Sequence, residues 1–520
     1  MNWRNYPLLL PAICLTAGIA LAEAHIERMN SLWLLSGCGI AVIGMLVCLV
    51  NMPTSISPPQ KLRLWGFGMA SSALFLLAGM ALYTCRSMET IRLAPRDSSA
   101  CRGIITSEAK EKARSWAMHM TLDNGAHIII YIGKSKTDPI RQEAKLKALS
   151  EGDSITALLK HVTLTNTRGD DFDSYRRRLM NRGICATAYV PPDKWRGKTI
   201  PSCRSQAPSR HVLQAALHSI YEDRFIDGEA GSTIEAMTIG RTADIGKRTR
   251  LAYSRAGASH LLALSGFHVG IVVMMLSLLL RIMPDSSLAN RLMNVAIVAA
   301  IWCYAYIAGM SPSLIRATIA CSLVTLAHMT RRHVLPINIC LLSLMTMLCI
   351  APTDLFNMGF QLSYLSVIGI CVASRTMEGK WGHMNAWLKM LISSTAISVV
   401  CTLMTAPVVA YHFGSVPALS VLTNILSVAF VYVIVCGSAL WWATLWIDPV
   451  NSALGCLLTK AATMMNDMME WISSLPFASI TFSPDVTTIC IYYLILTIFA
   501  SKILNEGWHR RNWKLFRKES

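Results

Sequence analysis

Charged residues are scarce in this chain, and acidic residues are the scarcer kind. Of its 520 residues, 15% are charged, with 30 Asp and Glu against 48 Lys and Arg, whereas 53% are hydrophobic. This composition excludes an ordinary soluble globular protein and indicates a polytopic membrane protein. The basic excess is not by itself evidence for nucleic acid, because cytoplasmic loops of membrane proteins are typically basic.

Metal-ligand patterns are also missing. The 16 cysteines and 13 histidines form no C-x-x-C pair and no histidine cluster, so we expect no metal and no other cofactor. Twelve cysteines lie in or beside apolar segments, where a thiol behaves as a small hydrophobic group. The remaining four, Cys85, Cys101, Cys185 and Cys203, are expected outside the cytoplasm, so at most two disulfides are available, in three connectivities.

Apolar runs of membrane length occur near both ends of the chain. The first, 7–22, is interpreted as an uncleaved helix, although Ala20-Leu21-Ala22 would suit a signal-peptidase site. Lys61 and Arg63 place the loop before the third span in the cytoplasm. The predicted spans are 7–22, 31–50, 64–84, 258–282, 291–309, 313–330, 334–350, 358–374, 389–411, 416–431, 432–446 and 487–504. The sequence therefore predicts a polytopic α-helical membrane protein with about 12 transmembrane helices. Segment 416–446 is split in two because a single span would leave the basic tail outside.

The middle of the chain has no run of membrane length. Residues 115–122 alternate with period two, which places Trp116, Met118 and Met120 on one face of a strand. Other strand-like segments are 101–106, 127–132, 154–165 and 186–190. Such short strands predict a small extracytoplasmic β-barrel. The expected domains are N-terminal membrane helices 1–85, the barrel 86–205, an amphipathic helix and linker 206–257, a second membrane domain 258–504 and a basic cytoplasmic tail 505–520.

The barrel segment carries a basic surplus that positive-inside bias does not explain. Between residues 101 and 204 there are 19 Lys and Arg against 11 Asp and Glu, a difference of +8. This pattern favours a groove that binds single-stranded nucleic acid, with aromatic side chains as stacking surfaces. The candidate residues are Tyr175, Arg176, Arg177 and Arg178, with Tyr131 and Trp195 as further aromatics. A solvated or lipid-headgroup face is the alternative for the three arginines.

One stretch, residues 257–270, begins an apolar run but contains His260, Ser265 and His268. Ionisable groups at membrane depth are costly, so an intramembrane histidine indicates a functional site. If the segment is helical, Ser265 and His268 lie on nearly the same face. Gly266 and Gly270 add a small-xxx-small pattern that permits close approach of another helix or a ligand. The alternative is a satisfied polar patch where helices pack.

Four ordered blocks resemble the ComEC family, the membrane channels of bacterial natural transformation. They are SHLLALSGFHVGI at 259–271, GMSPSLIRA at 309–317, PTDLFNMGFQLSY at 352–364, and a last block with Ala406-Pro407, YHFG at 411–414 and Asn424-Ile425-Leu426. The resemblance implies that the barrel is OB-like, with FDSY at 172–175 and NRGI at 181–184 near its end. Ser174 departs from the usual aromatic, and Arg241 replaces the acid of a Gly-Asp pair that begins at Gly240.

The resemblance implies an inner-membrane channel for single-stranded DNA, with an external DNA receptor and a cytoplasmic motor as partners. No H-x-H-x-D-H motif of the C-terminal metallo-β-lactamase-like domain of many relatives is present. We therefore expect no enzymatic activity and a separate nuclease. Membrane lipids and a homo-oligomer complete the expected partners.

Seven motif residues are expected near the outward ends of their spans, where they could meet at one entrance: His260, Ser265, Ser313, Arg316, Asp354, Asn357 and Gln361. The residues predicted to line the DNA path are these seven with Gly266, His268, Gly270, Ser363 and Asn424. Arg316 is the candidate phosphate ligand, because its guanidinium is planar and always charged. Asp354 would hold Arg316 in the absence of a strand, or cap the helix that begins near Asn357.

Two other functions fit parts of the sequence. A transporter of another polymer or of a lipid-linked substrate would use the same scaffold. An intramembrane hydrolase would use Ser265 and His268 as nucleophile and base, but the sequence shows no evident third group to orient the histidine.

Overall fold

The computed structural model describes residues 6–25, 34, 36–43, 58–92, 95, 100–107, 109–135, 138–147, 149, 152–164, 179–180, 183–198, 210–224, 226, 228–280, 287–330, 334–377 and 385–499. The chain divides into two compact units. The N-terminal unit comprises residues 9–211 and 345–357, and the C-terminal unit comprises residues 1–8, 212–344 and 358–520.

The N-terminal unit begins with two apolar helices that pack closely, α1 (Leu9–Ala24) and α2 (Pro58–Arg92). Glycines permit the contact: a Cβ on Gly18 would collide with the carbonyl of Leu76, and one on Gly79 with the carbonyl of Leu15. The first and third predicted spans are confirmed as helices. Most of the second predicted span lies outside the described residues. Residues 36–43 of that span are described, and they are helical.

A sheet follows the helices. Its strands are β1 (Ala100–Ile105), β2 (Lys110–Glu111), β3 (Ser115–Leu122), β4 (His127–Gly133), β5 (Ser154–Leu158), β6 (Lys160–Leu164), β7 (Ile184–Val190) and β8 (Trp195–Lys198), with helix α3 (Pro139–Lys147) between β4 and β5. Trp116, Met118 and Met120 are buried in its core, as the alternation predicts. The five predicted strand segments are therefore confirmed.

The strand order is β6-β7-β4-β3-β1-β5-β8, with β2 beside β3. Only β4 and β7 pair in parallel, and every other described pair is antiparallel. Leu159 alone separates β5 from β6, so these two strands form one bent segment. Since β6 pairs with β7 and β5 pairs with β1, the sheet closes through that segment.

The C-terminal unit is helical. Its helices are α4 (Arg210–Asp223), α5 (Gly228–Thr238), α6 (Lys247–Ala256), α7 (Ser259–Leu262), α8 (Gly266–Leu280), α9 (Ser287–Ile307), α10 (Pro312–Met329), α11 (Pro336–Ile350), α12 (Met358–Met377), α13 (Ala386–Phe413), α14 (Ser420–Ala443), α15 (Asp448–Ser474) and α16 (Val486–Phe499). The first two residues of α4 and the end of α11 belong to the N-terminal unit, as does a 3₁₀ helix, Pro352–Phe356. Two short strands, β9 (Ser415–Pro417) and β10 (Ser479–Thr481), pair with each other.

The chain is a membrane protein. In the described part of the chain, five helices are long and apolar enough to cross a bilayer, namely Gly66–Ser87, Leu288–Ile307, Pro312–Met329, Leu388–Phe413 and Ser420–Ala443. Five shorter apolar helices, Leu9–Ala24, Gly266–Leu279, Pro336–Ile350, Met358–Ser374 and Val486–Phe499, accompany them.

Segment 416–446 does not contain two spans, so that prediction is wrong. Helix α14 is continuous over 24 residues, because no proline or glycine interrupts it before Gly437. Crossing parity therefore no longer places tail 505–520 in the cytoplasm, and that tail lies outside the described residues.

Helix α4, predicted to be amphipathic, packs on the body of the C-terminal unit. Tyr221 is stacked on Trp441 at 4.9 Å between ring centroids and accepts a hydrogen bond from Trp442 at 2.9 Å. Gln214 donates to the carbonyls of Ile239 (3.0 Å) and Ile307 (2.8 Å). These contacts tie α4 to α14, to the loop after α5 and to the end of α9.

We predict that Gly79→Val disrupts the α1–α2 contact, because the added methyl groups meet the backbone of α1 at Leu15 and Ile19. Overpacking of this kind costs about 1–3 kcal/mol. Gly68→Val on the same helix is the matched control, since its Cβ meets no described atom within 4 Å. Thermal unfolding in detergent should show a lower melting temperature for the Gly79 variant alone. Equal melting temperatures would contradict the close contact.

Candidate polar site at a helix break

The stretch 257–270 is not one helix, so the predicted span 258–282 starts too early. Helix α6 ends at Gly257, whose positive φ of 80° is the left-handed conformation that glycine adopts at C-termini. After the one-turn helix α7, Ala263 is extended, and α8 begins at Gly266. Irregular backbone among membrane helices is tolerated where protein buries it or where it lines a cavity.

Hydrogen bonds link Ser265 and His268 at the start of α8. The Ser265 backbone N–H donates to His268 Nδ1 at 3.3 Å, and the Ser265 hydroxyl lies 3.1 Å from the same atom. The His268 N–H in turn donates to the Ser265 carbonyl at 3.1 Å. His268 thus makes the bond to the backbone N–H before the helix that the Glu or Gln of a capping box makes. Their spacing of three therefore reflects a cap and not a shared helix face.

The capping bond defines what His268 can do next. Because Nδ1 accepts from a backbone N–H, the neutral ring carries its proton on Nε2. The side chain is 0% exposed, and Nε2 has no hydrogen-bond partner among the described residues. The site therefore contains one buried N–H donor that is available to a ligand.

Ser313, in the first turn of α10, holds the other side of the break. Its hydroxyl donates to the Leu264 carbonyl at 2.9 Å and lies 3.3 Å from the hydroxyl of Ser311. This bond satisfies a carbonyl that the helix break leaves without a helical partner. The second and first motif blocks are thereby joined directly.

Arg316 lies one turn further along α10 and is buried, with 8% of its surface exposed. Its guanidinium Cζ lies 5.5 Å from the centroid of the Tyr364 ring, within cation–π distance. Gly266 makes room for it, since a Cβ there would lie 3.3 Å from Arg316 Nη2. Among the described residues no carboxylate forms an ion pair with Arg316, and its Nε has no hydrogen-bond partner.

Tyr364 is the site residue that sequence reasoning missed. It lies on α12, where its hydroxyl is 2.9 Å from the hydroxyl of Ser343 and its ring lies 4.6 Å from that of Phe360. The available signal was its position at the end of the third motif block, one turn after Phe360 and three residues after Gln361. An aromatic at that spacing is more often a core residue, so its role as the support of Arg316 depends on tertiary contacts.

The remaining predicted residues are distributed more widely. Gln361 and Ser363 are half-buried in the first turns of α12, His260 is exposed on α7, and Gly270 faces open space. Asn424 donates to the Ser398 hydroxyl at 3.0 Å and so lies at the packing of α14 on α13. Asp354 and Asn357 belong to the N-terminal unit, in and directly after the 3₁₀ helix. Tyr175, Arg176, Arg177 and Arg178 lie outside the described residues.

The site has few features of an active or metal centre. Across the described ranges, no group of three or more His, Cys, Asp or Glu side chains could hold a metal ion. Cys85, Cys101 and Cys185 form no disulfide with one another, and Cys203 lies outside the described residues. No described residue orients His268 through Nε2 as a catalytic triad would require. The arrangement is instead suited to binding through a buried cation and a buried N–H donor.

The chain belongs to the family described as Competence protein, which matches residues 237–505, more than half of its length. ComE operon protein 3 of Bacillus subtilis (strain 168) is a relative with 26% identity over 220 residues. That alignment covers 42% of this chain and only 27% of the relative. No solved structure is significantly similar to the chain.

We predict that Ser265→Ala removes the hydroxyl that lies against His268 Nδ1 and lowers the free energy of unfolding by about 0.5–1.5 kcal/mol, the contribution of one hydrogen bond. Ser259→Ala, at an exposed position of the neighbouring helix α7, should change it by less than about 0.5 kcal/mol. Thermal unfolding of both purified variants tests this difference. Equal losses would show that the Ser265 hydroxyl does not stabilise the start of α8.

A second prediction concerns Asp354, whose carboxyl pKa is raised by burial. The folded chain therefore binds this proton more tightly than the unfolded chain does. This tighter proton binding stabilises the folded chain fully below the unfolded pKa of about 4. The stabilisation is lost as the pH rises through the folded pKa. Asp354→Asn should raise the melting temperature at pH 7, and the gain should vanish below about pH 4.

Melting curves across that pH range provide the measurement, with Asp123→Asn, at an exposed position, as the control. A lower melting temperature for Asp354→Asn at pH 7 would contradict the prediction, because it would show that the folded chain stabilises the ionised carboxylate.

Proposed function

We propose that this chain is a channel subunit that passes single-stranded DNA across the bacterial plasma (inner) membrane during natural transformation. The observation that carries the proposal is Arg316. It is a permanently charged side chain, buried among membrane helices beside a helix break, without a described carboxylate partner. Burying an unpaired charge costs several kcal/mol of stability. A buried arginine at this position therefore fits a ligand that supplies the opposite charge.

A phosphate of the DNA backbone has the chemistry that this site requires. The guanidinium fork offers paired N–H donors to phosphate oxygens, and the Tyr364 ring lies against the guanidinium. His268 adds one buried N–H at the same break. A conduit must bind its cargo at several weak sites so that the cargo can leave, and one arginine with neutral neighbours fits this requirement better than a cluster of cations.

Family membership supports the same function. The family is described by competence, and the matching residues 237–505 include the helix break, Ser313, Arg316 and Tyr364. The motor, the external receptor and the separate nuclease implied by the resemblance remain expectations, as does the count of about 12 spans.

We further propose that the sheet of the N-terminal unit is an OB-like barrel outside the cytoplasm that receives the strand. Its pairing order, its single parallel pair β4–β7 and the helix between β4 and β5 match that architecture. Arg102 pairs with Thr156, which pairs with Arg196, so two exposed arginines share one row across three strands. Lys112 lies over the Tyr131 ring at 4.8 Å. Cations aligned across strands and cations placed over aromatic rings are both typical of single-strand binding.

The test is the transformation frequency of a transformable strain in which Arg316→Ala replaces the native residue. Loss of a charge-assisted hydrogen bond of about 1.5–3 kcal/mol should lower the frequency by roughly tenfold or more. Arg316→Lys should be only partly active, because an ammonium lacks the planar fork. Arg291→Ala, at an exposed position on α9, removes the same charge away from the site and should have little effect.

Membrane abundance of each variant must be measured in parallel. An unchanged frequency for Arg316→Ala, in a strain where deletion of the gene abolishes uptake, would remove Arg316 from the path. Uptake that survives the deletion would overturn the DNA function itself.

A further inference from the structure

Helix α15 exposes a regular stripe that the proposed channel does not use. Its exposed apolar residues recur every seven positions, with Val450 44% exposed, Leu457 53%, Met464 52% and Trp471 59%. A second exposed row, three positions later in each case, consists of Ala453, Lys460, Asp467 and Ser474. We call these two rows the α15 seam. A seven-residue spacing with rows three apart is the a/d pattern of helices that pack in pairs.

The opposite face of α15 is fully used within the chain. The Asn451 side chain donates to the Trp441 carbonyl at 2.9 Å, and Leu458 and Gly455 pack against Gly437 and Trp441 of α14. At the other end, β10 pairs with β9, which lies just before α14. Helix α15 therefore packs against α14, and the seam faces away from α14.

The seam fits neither water nor lipid well. Leu457, Met464 and Trp471 expose large apolar surfaces, which is unfavourable in water. Lys460 and Asp467 place two charges in the same stripe, and a charge that faces acyl chains is costly. Apolar residues flanked by charged ones are instead the pattern of packed helix pairs, in which the charges set partner choice and orientation.

We infer that the α15 seam is the interface with a second copy of this chain, with the two α15 helices antiparallel around a two-fold axis near Thr463. The charges carry this choice of occupant. Lys460 and Asp467 lie on opposite sides of that axis, so Lys460 of each copy comes alongside Asp467 of the other. Such self-complementarity is the property that an isologous interface requires.

The same two residues do not satisfy each other within one chain. They are seven positions apart, or about 10 Å along the helix, which exceeds the three- or four-residue spacing of helical ion pairs. Among the described residues neither has an ion-pair partner. Nearby, Arg248 binds Glu470 through two contacts of 2.9 Å, so that acid is already paired.

Charge reversal in two differently tagged, co-expressed full-length copies tests the interface. Wild-type copies should co-purify from detergent. Two Lys460→Glu copies place like charges together on both sides of the axis, and we expect co-purification to fall roughly tenfold. A Lys460→Glu copy with an Asp467→Lys copy restores two opposite pairs, so co-purification should return to the wild-type level. Lys389→Glu, an exposed lysine on α13, is the matched control.

Melting temperatures show whether each variant folds, since Asp467→Lys also lies three positions from Glu470. Rescue by the mixed pair supports the seam, because a folding defect in either copy would not be repaired by its partner. Wild-type copies that stay monomeric in detergent and in lipid nanodiscs would overturn the inference and assign the seam to lipid. Co-purification that Lys460→Glu does not reduce, or that the mixed pair does not restore, would overturn it as well.

Discussion

The burial of one guanidinium among apolar helices constrains the arrangement around it. Arg316 needs a gap in the facing backbone, and Gly266 provides it, because a side chain there would meet Nη2. Gly266 is free to begin a helix because the chain breaks before it, and the break is stable because Ser313 and His268 satisfy the backbone on its two sides. The ring of Tyr364 then completes the enclosure. Each of these features is understandable only in relation to the charge.

Much of the architecture follows from local pattern. Apolar runs locate most of the membrane helices to within a few residues, and period-two alternation locates the strands and their buried face, because both signals depend on side chains near in sequence. The prediction for segment 416–446 was wrong for the opposite reason. The segment was divided to satisfy a rule about loop charge, although residues 420–436 contain nothing that ends a helix.

The same distinction between local and tertiary signals applies to the site. The motif residues Ser265, His268, Ser313 and Arg316 were identified from the sequence, and the structure brings them to one break. Their roles were not predictable, since the capping role of His268 depends on where α8 begins, and the role of Tyr364 depends on how α12 packs against α10. Asn424 shows the converse, because it belongs to a recognisable motif but bonds to Ser398 in a different helix contact.

At the pair Gly240 and Arg241, the backbone geometry requires the first residue of the motif but not the second. Gly240 has a positive φ of 74°, and a Cβ there would collide with the Ala308 carbonyl, so only glycine fits. Arg241 is under no such constraint. Its Nε donates to Asp244 at 2.8 Å and lies 3.9 Å from the buried Glu235, which also binds His218 at 2.8 Å.

Burial raises the pKa of the Glu235 carboxyl, whereas His218 and Arg241 act in the opposite direction. An arginine at position 241 therefore helps to balance a buried acid that α5 already supplies. A second acid at that position would add repulsion beside Glu235 and Asp244. The departure from the motif is thus compensated by its immediate surroundings, while the glycine that shapes the backbone is retained.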